Sequence, residues 1–174
     1  ALADLNKAYA MAPKDPLTLI QRAELSLMRD DLPTAKSDYK AAVELAPQIE
    51  NIIGVIELRS RIALAESRLA DAINDAELLV KRNPDELRYK RWLASIYSVD
   101  QRPRKAIDVL TGILENDPDN LAILRDRGDA LLSVGDHAAA IDDYEAAVRV
   151  MGNFEKMDDV AADQIDLAAG LFNN

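Results

Sequence analysis

The stretch that decides the fold is GDALLSVGDHAAAIDDYEAAVRVMG, residues 128–152. It places Ala140, Tyr144 and Ala147 twelve, eight and five residues before its last glycine. Residues at these separations share one face of a helix, because a turn takes 3.6 residues. The Gly135–Asp136 pair that precedes them suits the end of one helix and the cap of the next. The stretch therefore predicts a hairpin of two helices.

The same hairpin pattern recurs along the chain at intervals marked by proline. Pro13 and Pro47 are 34 residues apart, as are Pro84 and Pro118, whereas Pro47 and Pro84 are 37 apart. The three equivalent positions before each proline are again mostly small or apolar: Ala1, Leu5 and Ala8; Ala35, Tyr39 and Ala42; Ala72, Ala76 and Leu79; Ala106, Leu110 and Ile113. A period of 34 residues predicts a tandem array of helix–turn–helix units.

A charged pair provides an independent check on this register. Three arginine–aspartate pairs, each 16 residues apart, stand at equivalent places: Arg22 and Asp38, Arg59 and Asp75, Arg127 and Asp143. The remaining repeat is apolar at both places, with Leu93 and Val109. We therefore expect the two members of each pair to meet across their hairpin. The register also puts three extra residues of the second repeat, near 48–53, before Arg59, where we expect them to lengthen the start of that helix.

With these positions the chain resembles the tetratricopeptide repeat family over nearly its whole length. Leu93, Ala94 and Tyr97 match the leucine, small residue and tyrosine of the family's first helix, and Gly128 matches the small residue one repeat later. No repeat has the family's first-helix tryptophan. The resemblance implies an all-α fold, an α-α superhelix in which helix–turn–helix repeats form a right-handed solenoid.

The repeat register predicts six segments. They are the second helix of an incomplete repeat at 1–13, repeat 1 at 14–47, repeat 2 at 48–84 with about three extra residues, repeat 3 at 85–118, repeat 4 at 119–152, and a C-terminal helix at 153–174 that caps the array or begins a further repeat. Because the first helix lacks its partner, we expect the chain to be part of a larger repeat protein of bacterial type.

Proline, aspartate and tyrosine give local expectations within this register. Pro33 and Pro103 suit a first helical turn, where the missing N–H costs nothing. Asp85 and Asp119 each follow a proline and are predicted to cap the next helix. The tyrosines predicted to lie in the core are Tyr39, Tyr97 and Tyr144.

Composition argues against several classes of function. The net charge of −10 opposes binding to phosphate backbones, so no nucleic-acid partner is expected. The chain has no cysteine and one histidine, His137, which we expect to be exposed in a turn. No metal, cofactor or catalytic residue is therefore predicted, and the protein is not expected to be an enzyme. No apolar run approaches a membrane span, so membrane insertion is not expected either, and composition favours no particular cellular compartment.

The candidate site follows from the resemblance, which implies that the first helix of each hairpin lines a concave binding surface. The residues assigned to this surface are Arg61, Arg88, Arg91, Trp92, Ser95, Arg125 and Asp129, with Leu17, Ile20 and Gln21 from the first repeat. Arginine and tryptophan are enriched where proteins bind one another tightly. The predicted ligand is an extended or helical segment with acidic and apolar parts. Three alternatives stay open: that the arginines pair locally with Glu57, Asp126 or Asp129, that Trp92 packs against a neighbouring repeat, and that the apolar residues of the first repeat are covered by residues 1–13.

The predicted function is a protein–protein interaction scaffold that binds a peptide or partner segment in its concave groove. One alternative is structural self-assembly, in which solenoid ends stack and give weak self-association. Another is an accessory domain that positions a catalytic domain elsewhere in the gene.

Overall fold

The computed structural model describes residues 15–152, and these belong to two compact units, Ala1–Arg82 and Asn83–Asn174. The first unit contains α1 (Pro16–Leu27), α2 (Leu32–Leu45), a 3₁₀ turn (Pro47–Asn51), α3 (Ile53–Ala65) and α4 (Leu69–Arg82). The second unit contains α5 (Leu87–Val99), α6 (Pro103–Leu114), α7 (Leu121–Ser133) and α8 (His137–Gly152). Residues 15–152 contain no strand, and the all-α prediction is confirmed. The helices predicted within 1–13 and 153–174 lie outside the described residues.

Consecutive helices pack as hairpins, α1 with α2, α3 with α4, α5 with α6, and α7 with α8. The small residues of the second helices are fully buried, which lets the helix backbones approach closely: Ala35 and Ala42, Ala72 and Ala76, Ala106, and Ala140. Tyr97 and Tyr144 lie in the core as predicted, whereas Tyr39 is only half-buried.

The predicted arginine–aspartate contacts are confirmed in all three hairpins. Nε and Nη2 of Arg22 donate to the two carboxylate oxygens of Asp38, both at 2.6 Å. The equivalent pairs Arg59 with Asp75 and Arg127 with Asp143 have the same two-pronged geometry. All three aspartates are buried, so each carboxylate depends on its arginine for the hydrogen bonds that water would otherwise supply.

All four hairpin turns have one backbone geometry. A residue with positive φ follows each first helix: Asp30 at 60°, Ser67 at 58°, Gln101 at 57° and Gly135 at 80°. In the last turn the N–H of Gly135 donates to Leu132 O and that of Asp136 donates to Leu131 O, both at 3.0 Å. This is the Schellman arrangement that closes a helix C-terminus, and the other three turns repeat it. The expectation for Gly135 is confirmed.

The helix starts agree with the sequence at the prolines but not at two predicted caps. Pro33 and Pro103 lie in the first turns of α2 and α6, as predicted. The prediction that Asp85 and Asp119 are caps is wrong, because α5 and α7 each begin one residue later. Asn120 caps α7 by accepting from the N–H of Ile123 at 3.2 Å. Glu86 precedes α5 without a capping hydrogen bond from its side chain.

The three extra residues of the second repeat do not lengthen α3, which has 13 residues like α5 and α7. That expectation is wrong, because the insertion forms the 3₁₀ turn instead. Pro47 opens the turn without an N–H, and Ile52 ends it with an extended backbone, at ψ 133°. Tyr39 OH donates to Glu50 Oε1 at 3.3 Å, and Arg82 Nη1 donates to Asn51 O at 2.7 Å. Side chains of α2 and α4 thus hold the insertion in place.

Candidate functional site

A groove of about 680 Å³ lies in the second unit, between the first helices of its two hairpins. One wall is α5 and the other is α7, with α6 contributing to the floor. The lining residues are Arg88, Arg91, Trp92, Ala94, Ser95, Ser98, Gln101, Pro103, Leu110, Asp126, Asp129, Ala130 and Ser133. A volume of this size is typical of protein sites that hold a ligand.

The groove combines an apolar base with hydroxyl groups. Trp92 is half-buried, and Leu110 and Ala130, which line the same groove, are buried. Ser95 Oγ donates to Trp92 O at 2.7 Å, and Ser133 Oγ donates to Ala130 O at 2.6 Å. Because each hydroxyl hydrogen is used on its own helix, the oxygens remain as acceptors for N–H groups entering the groove.

An ion pair across the groove joins the two helices. The Arg91 guanidinium binds Asp126 with two hydrogen bonds, one from Nε to Oδ2 and one from Nη2 to Oδ1 at 3.1 Å. Arg91 is half exposed and Asp126 about one-third exposed. Hydrogen bonding to Asp126 raises the pKa of Arg91, so this guanidinium stays charged. The sequence alternative in which Arg91 pairs with an acid of this protein is the one the structure shows, although Asp126 belongs to the next hairpin.

Arg88 also has neighbours within the second unit. Its Nη2 donates to Tyr89 OH at 2.5 Å, and its guanidinium carbon lies 4.5 Å from the centre of the Tyr89 ring. Glu86 Oε1 is 3.7 Å from Arg88 Nε. Arg88 therefore lines the groove as a cation that already contacts Tyr89 and lies near the Glu86 carboxylate.

Asp129 is an exposed residue of α7 whose carboxylate accepts a hydrogen bond from a core tyrosine. Tyr144 OH donates to Asp129 Oδ1 at 2.6 Å, and Tyr144 is only 2% exposed. Burial and the hydrogen bond to Asp129 raise the pKa of Tyr144, so its hydroxyl remains a donor at neutral pH. The carboxylate is thereby fixed in orientation before any ligand arrives.

Comparison with known protein families decides what kind of chain carries this groove. The sequence model described as "Tetratricopeptide repeat" matches residues 58–119 and 97–154, which together span more than half of the chain. The chain belongs to the tetratricopeptide repeat family. Tetratricopeptide repeats are in general protein–protein interaction scaffolds without enzymatic activity.

Relatives of this tetratricopeptide chain agree with the assignment. DnaJ homolog subfamily C member 3 of Bos taurus is 32% identical over 114 residues, a match that covers 63% of this chain and only 22% of that protein. The solved structure of MamA 41-end from Desulfovibrio magneticus RS-1 has a TM-score of 0.74 at 18% identity, over 89% of this chain and 86% of that one. YrrB, described as a TPR protein with an unusual peptide-binding site, has a TM-score of 0.63 at 16% identity, over 98% and 93% of the two chains. At these identities the structures show a shared tetratricopeptide fold.

The groove brings together five of the residues assigned from the sequence: Arg88, Arg91, Trp92, Ser95 and Asp129. Arg125 is exposed on α7 but does not line the groove. Sequence reasoning missed Gln101 and Pro103, which reach the groove from the turn that opens α6. The 34-residue pattern marks that turn, but it does not show which turn residues approach the neighbouring first helix.

The remaining assigned residues belong to the first unit of this tetratricopeptide chain. Leu17 and Gln21 are exposed on α1, and Arg61 is half-buried on α3. Ile20 is a correction, because it is only 6% exposed and packs in the core. It lies about 60° around the helix from buried Ala23, within the wide apolar stripe of a core-facing helix.

Three further points about residues 15–152 bear on function: metal binding, membrane spanning and His137. Within residues 15–152 no group of three or more His, Cys, Asp or Glu side chains could hold a metal ion. No helix in the same range has the length and apolar character needed to span a bilayer. His137 begins α8 and is half-buried, which corrects the expectation of an exposed turn residue.

Proposed function

We propose that this tetratricopeptide chain is an interaction scaffold that binds a segment of a partner protein in the groove between α5 and α7. The observation that carries the proposal is a preformed groove with Trp92 on one wall and the Arg91–Asp126 ion pair joining its two helices. A site that is already shaped loses less entropy when it binds than one that must first become ordered.

The lining suggests how such a segment would be held. An apolar side chain would pack on Trp92 and over Leu110, which removes apolar surface from water on both partners. The serine oxygens would accept N–H groups of the segment. Tryptophan is enriched among the residues that dominate binding energies in protein interfaces. YrrB, a TPR protein with an unusual peptide-binding site, supports the same use of this fold.

Residues outside the groove would add further contacts with a partner. Arg125, on the exposed surface of α7, stays a predicted contact outside the groove. Leu17, Gln21 and Arg61 would form a separate contact surface in the first unit. Self-assembly through solenoid ends depends on residues 1–13 and 153–174, outside the described range, and stays a prediction that concentration-dependent mass measurements test. An accessory role beside a catalytic domain also stays a prediction.

The test uses the single tryptophan of the chain. Peptides selected from a phage-displayed random library would be titrated into the protein while Trp92 fluorescence and heat of binding are recorded. Ser95→Arg would fill the groove and should weaken binding at least roughly tenfold, because the new side chain occupies the ligand's place. Ser37→Arg, the same change on an exposed position of α2, is the matched control.

Selected peptides that bind Ser95→Arg as tightly as wild type would place the binding surface elsewhere. Circular dichroism of both variants would establish that each remains helical, so that a loss of binding reports on the groove.

A further inference from the structure

The charged side chains of the groove differ in how many of their neighbours bind them. The sequence favours an acidic ligand because Arg88 and Arg91 lie on the exposed face of α5. In the structure Arg91 is bound by both oxygens of Asp126, and Arg88 contacts Tyr89 and Glu86. An acidic ligand would have to compete with these contacts for both guanidinium groups.

Asp129 differs from the two arginines, because no described residue of opposite charge binds it. The only hydrogen-bond partner of the Asp129 carboxylate among residues 15–152 is the hydroxyl of Tyr144, which is neutral. Within the same described range no cation lies within ion-pair distance of Asp129, and Arg125, one turn earlier on α7, forms no ion pair with it. The second carboxylate oxygen, Oδ2, therefore has no protein donor there. Asp129 is an oriented acceptor on the groove wall: Arg125 is near enough to lower the pKa of Tyr144, but it does not bind the Asp129 carboxylate.

We infer that the groove selects a basic segment, in which a lysine or arginine side chain binds Asp129 while a neighbouring apolar side chain packs on Trp92. The inference rests on the proposed function and names the chemistry of its ligand. A charge-assisted hydrogen bond is roughly twice as strong as a neutral one, and here the acceptor is already oriented by Tyr144. The net charge of −10 would also draw a basic segment toward the protein.

The test uses three synthetic peptides with one design. Each is a capped twelve-residue peptide with the same two leucines and one phenylalanine, and its four polar positions are all lysine, all glutamate or all glutamine. Binding to the full chain would be measured by calorimetry and Trp92 fluorescence at about 150 mM salt, where long-range attraction is largely screened. The lysine peptide is expected to bind roughly tenfold tighter than the glutamate peptide.

Two protein variants separate a specific contact from general attraction. Asp129→Asn keeps an oxygen for Tyr144 but removes the charge, and should weaken binding of the lysine peptide roughly three- to tenfold. Asp142→Asn removes the same charge from an exposed position on α8 and should leave that affinity unchanged.

Each outcome bears on one of the two proposals. If the three peptides bind with equal affinity and Ser95→Arg abolishes binding, the groove is a binding site but its preference for cations is refuted. Tighter binding of the glutamate peptide, or equal losses in Asp129→Asn and Asp142→Asn, also refutes it. If none of the peptides binds, the inference fails, and failure of the library selection as well would remove the proposed function.

Discussion

Tyr144 lies so close to α7 that a Cβ atom on residue 128 would come within 2.6 Å of its ring carbon Cε1 and 2.8 Å of Cζ. Gly128 thus makes room for the ring that holds Asp129. The ring is almost fully buried and cannot swing away into solvent. This close approach ties the packing of the α7–α8 hairpin to the carboxylate that faces the groove.

Gly128→Ala should therefore destabilise the protein by about 1–3 kcal/mol, because an added methyl group overpacks the hairpin. Urea unfolding followed by circular dichroism would measure the change. Gly112→Ala is the matched control, since nothing lies within 4 Å of a Cβ built there. It should stabilise α6 by about 0.5–1 kcal/mol, because alanine is the better helix former. A destabilisation of equal size in both variants would refute the argument.

The turn residues with positive φ predict that two substitutions change stability in opposite directions. Ser67→Gly should stabilise the protein by about 0.5–1 kcal/mol, because glycine adopts the left-handed conformation without strain. Gly135→Ala should destabilise it by a similar amount. Thermal unfolding of the two variants against wild type measures both effects. A loss of stability in Ser67→Gly would show that the Ser67 side chain contributes more than its backbone conformation costs.

The arginine–aspartate pairs predict non-additive behaviour. Arg127→Leu alone should cost about 3 kcal/mol, because it leaves the buried Asp143 carboxylate without its cation. Adding Asp143→Val makes this hairpin resemble the third repeat, which has Leu93 and Val109, and should restore most of the loss. A double-mutant cycle by urea unfolding gives the coupling. Additive losses in the double variant would show that the two residues act independently.

Glu24 in the first unit predicts a pH dependence. Burial and the charge of Glu57 raise the pKa of Glu24 above its ordinary value of 4.5, although Arg61 lowers it. As pH rises from 4.5 through this raised pKa, the unfolded chain loses its proton more readily than the folded one, so the contribution of Glu24 to stability falls.

Glu24→Gln should therefore be more stable than wild type at pH 7, and the difference should disappear below about pH 4.5. Urea unfolding at pH 7 and pH 4 tests the sign. Glu44→Gln, the same substitution on the exposed surface of α2, is the matched control. A Glu24→Gln variant that is less stable than wild type at pH 7 would contradict the expected effect of burial.

The sequence by itself determined the hairpin repeat, the buried small residues and the arginine–aspartate contacts. All of these follow from spacings within one hairpin, where 3.6 residues per turn fix which side chains face the partner helix. The period also located the turn at Gly135, because glycine favours the left-handed conformation that such a turn needs.

Only the tertiary structure decided the character of the groove. Arg91 and Asp126 are 35 residues apart and on different hairpins, so no local pattern shows that they meet. The hold of Tyr144 on Asp129 depends on how closely two helices approach, which the missing side chain of Gly128 permits. The 3₁₀ turn at Pro47–Asn51 was likewise set by packing, because a helix period does not show how an insertion folds. Spacing along the chain fixes the direction in which each side chain points from its helix. The charge that a ligand meets depends instead on which neighbours the packed helices bring together.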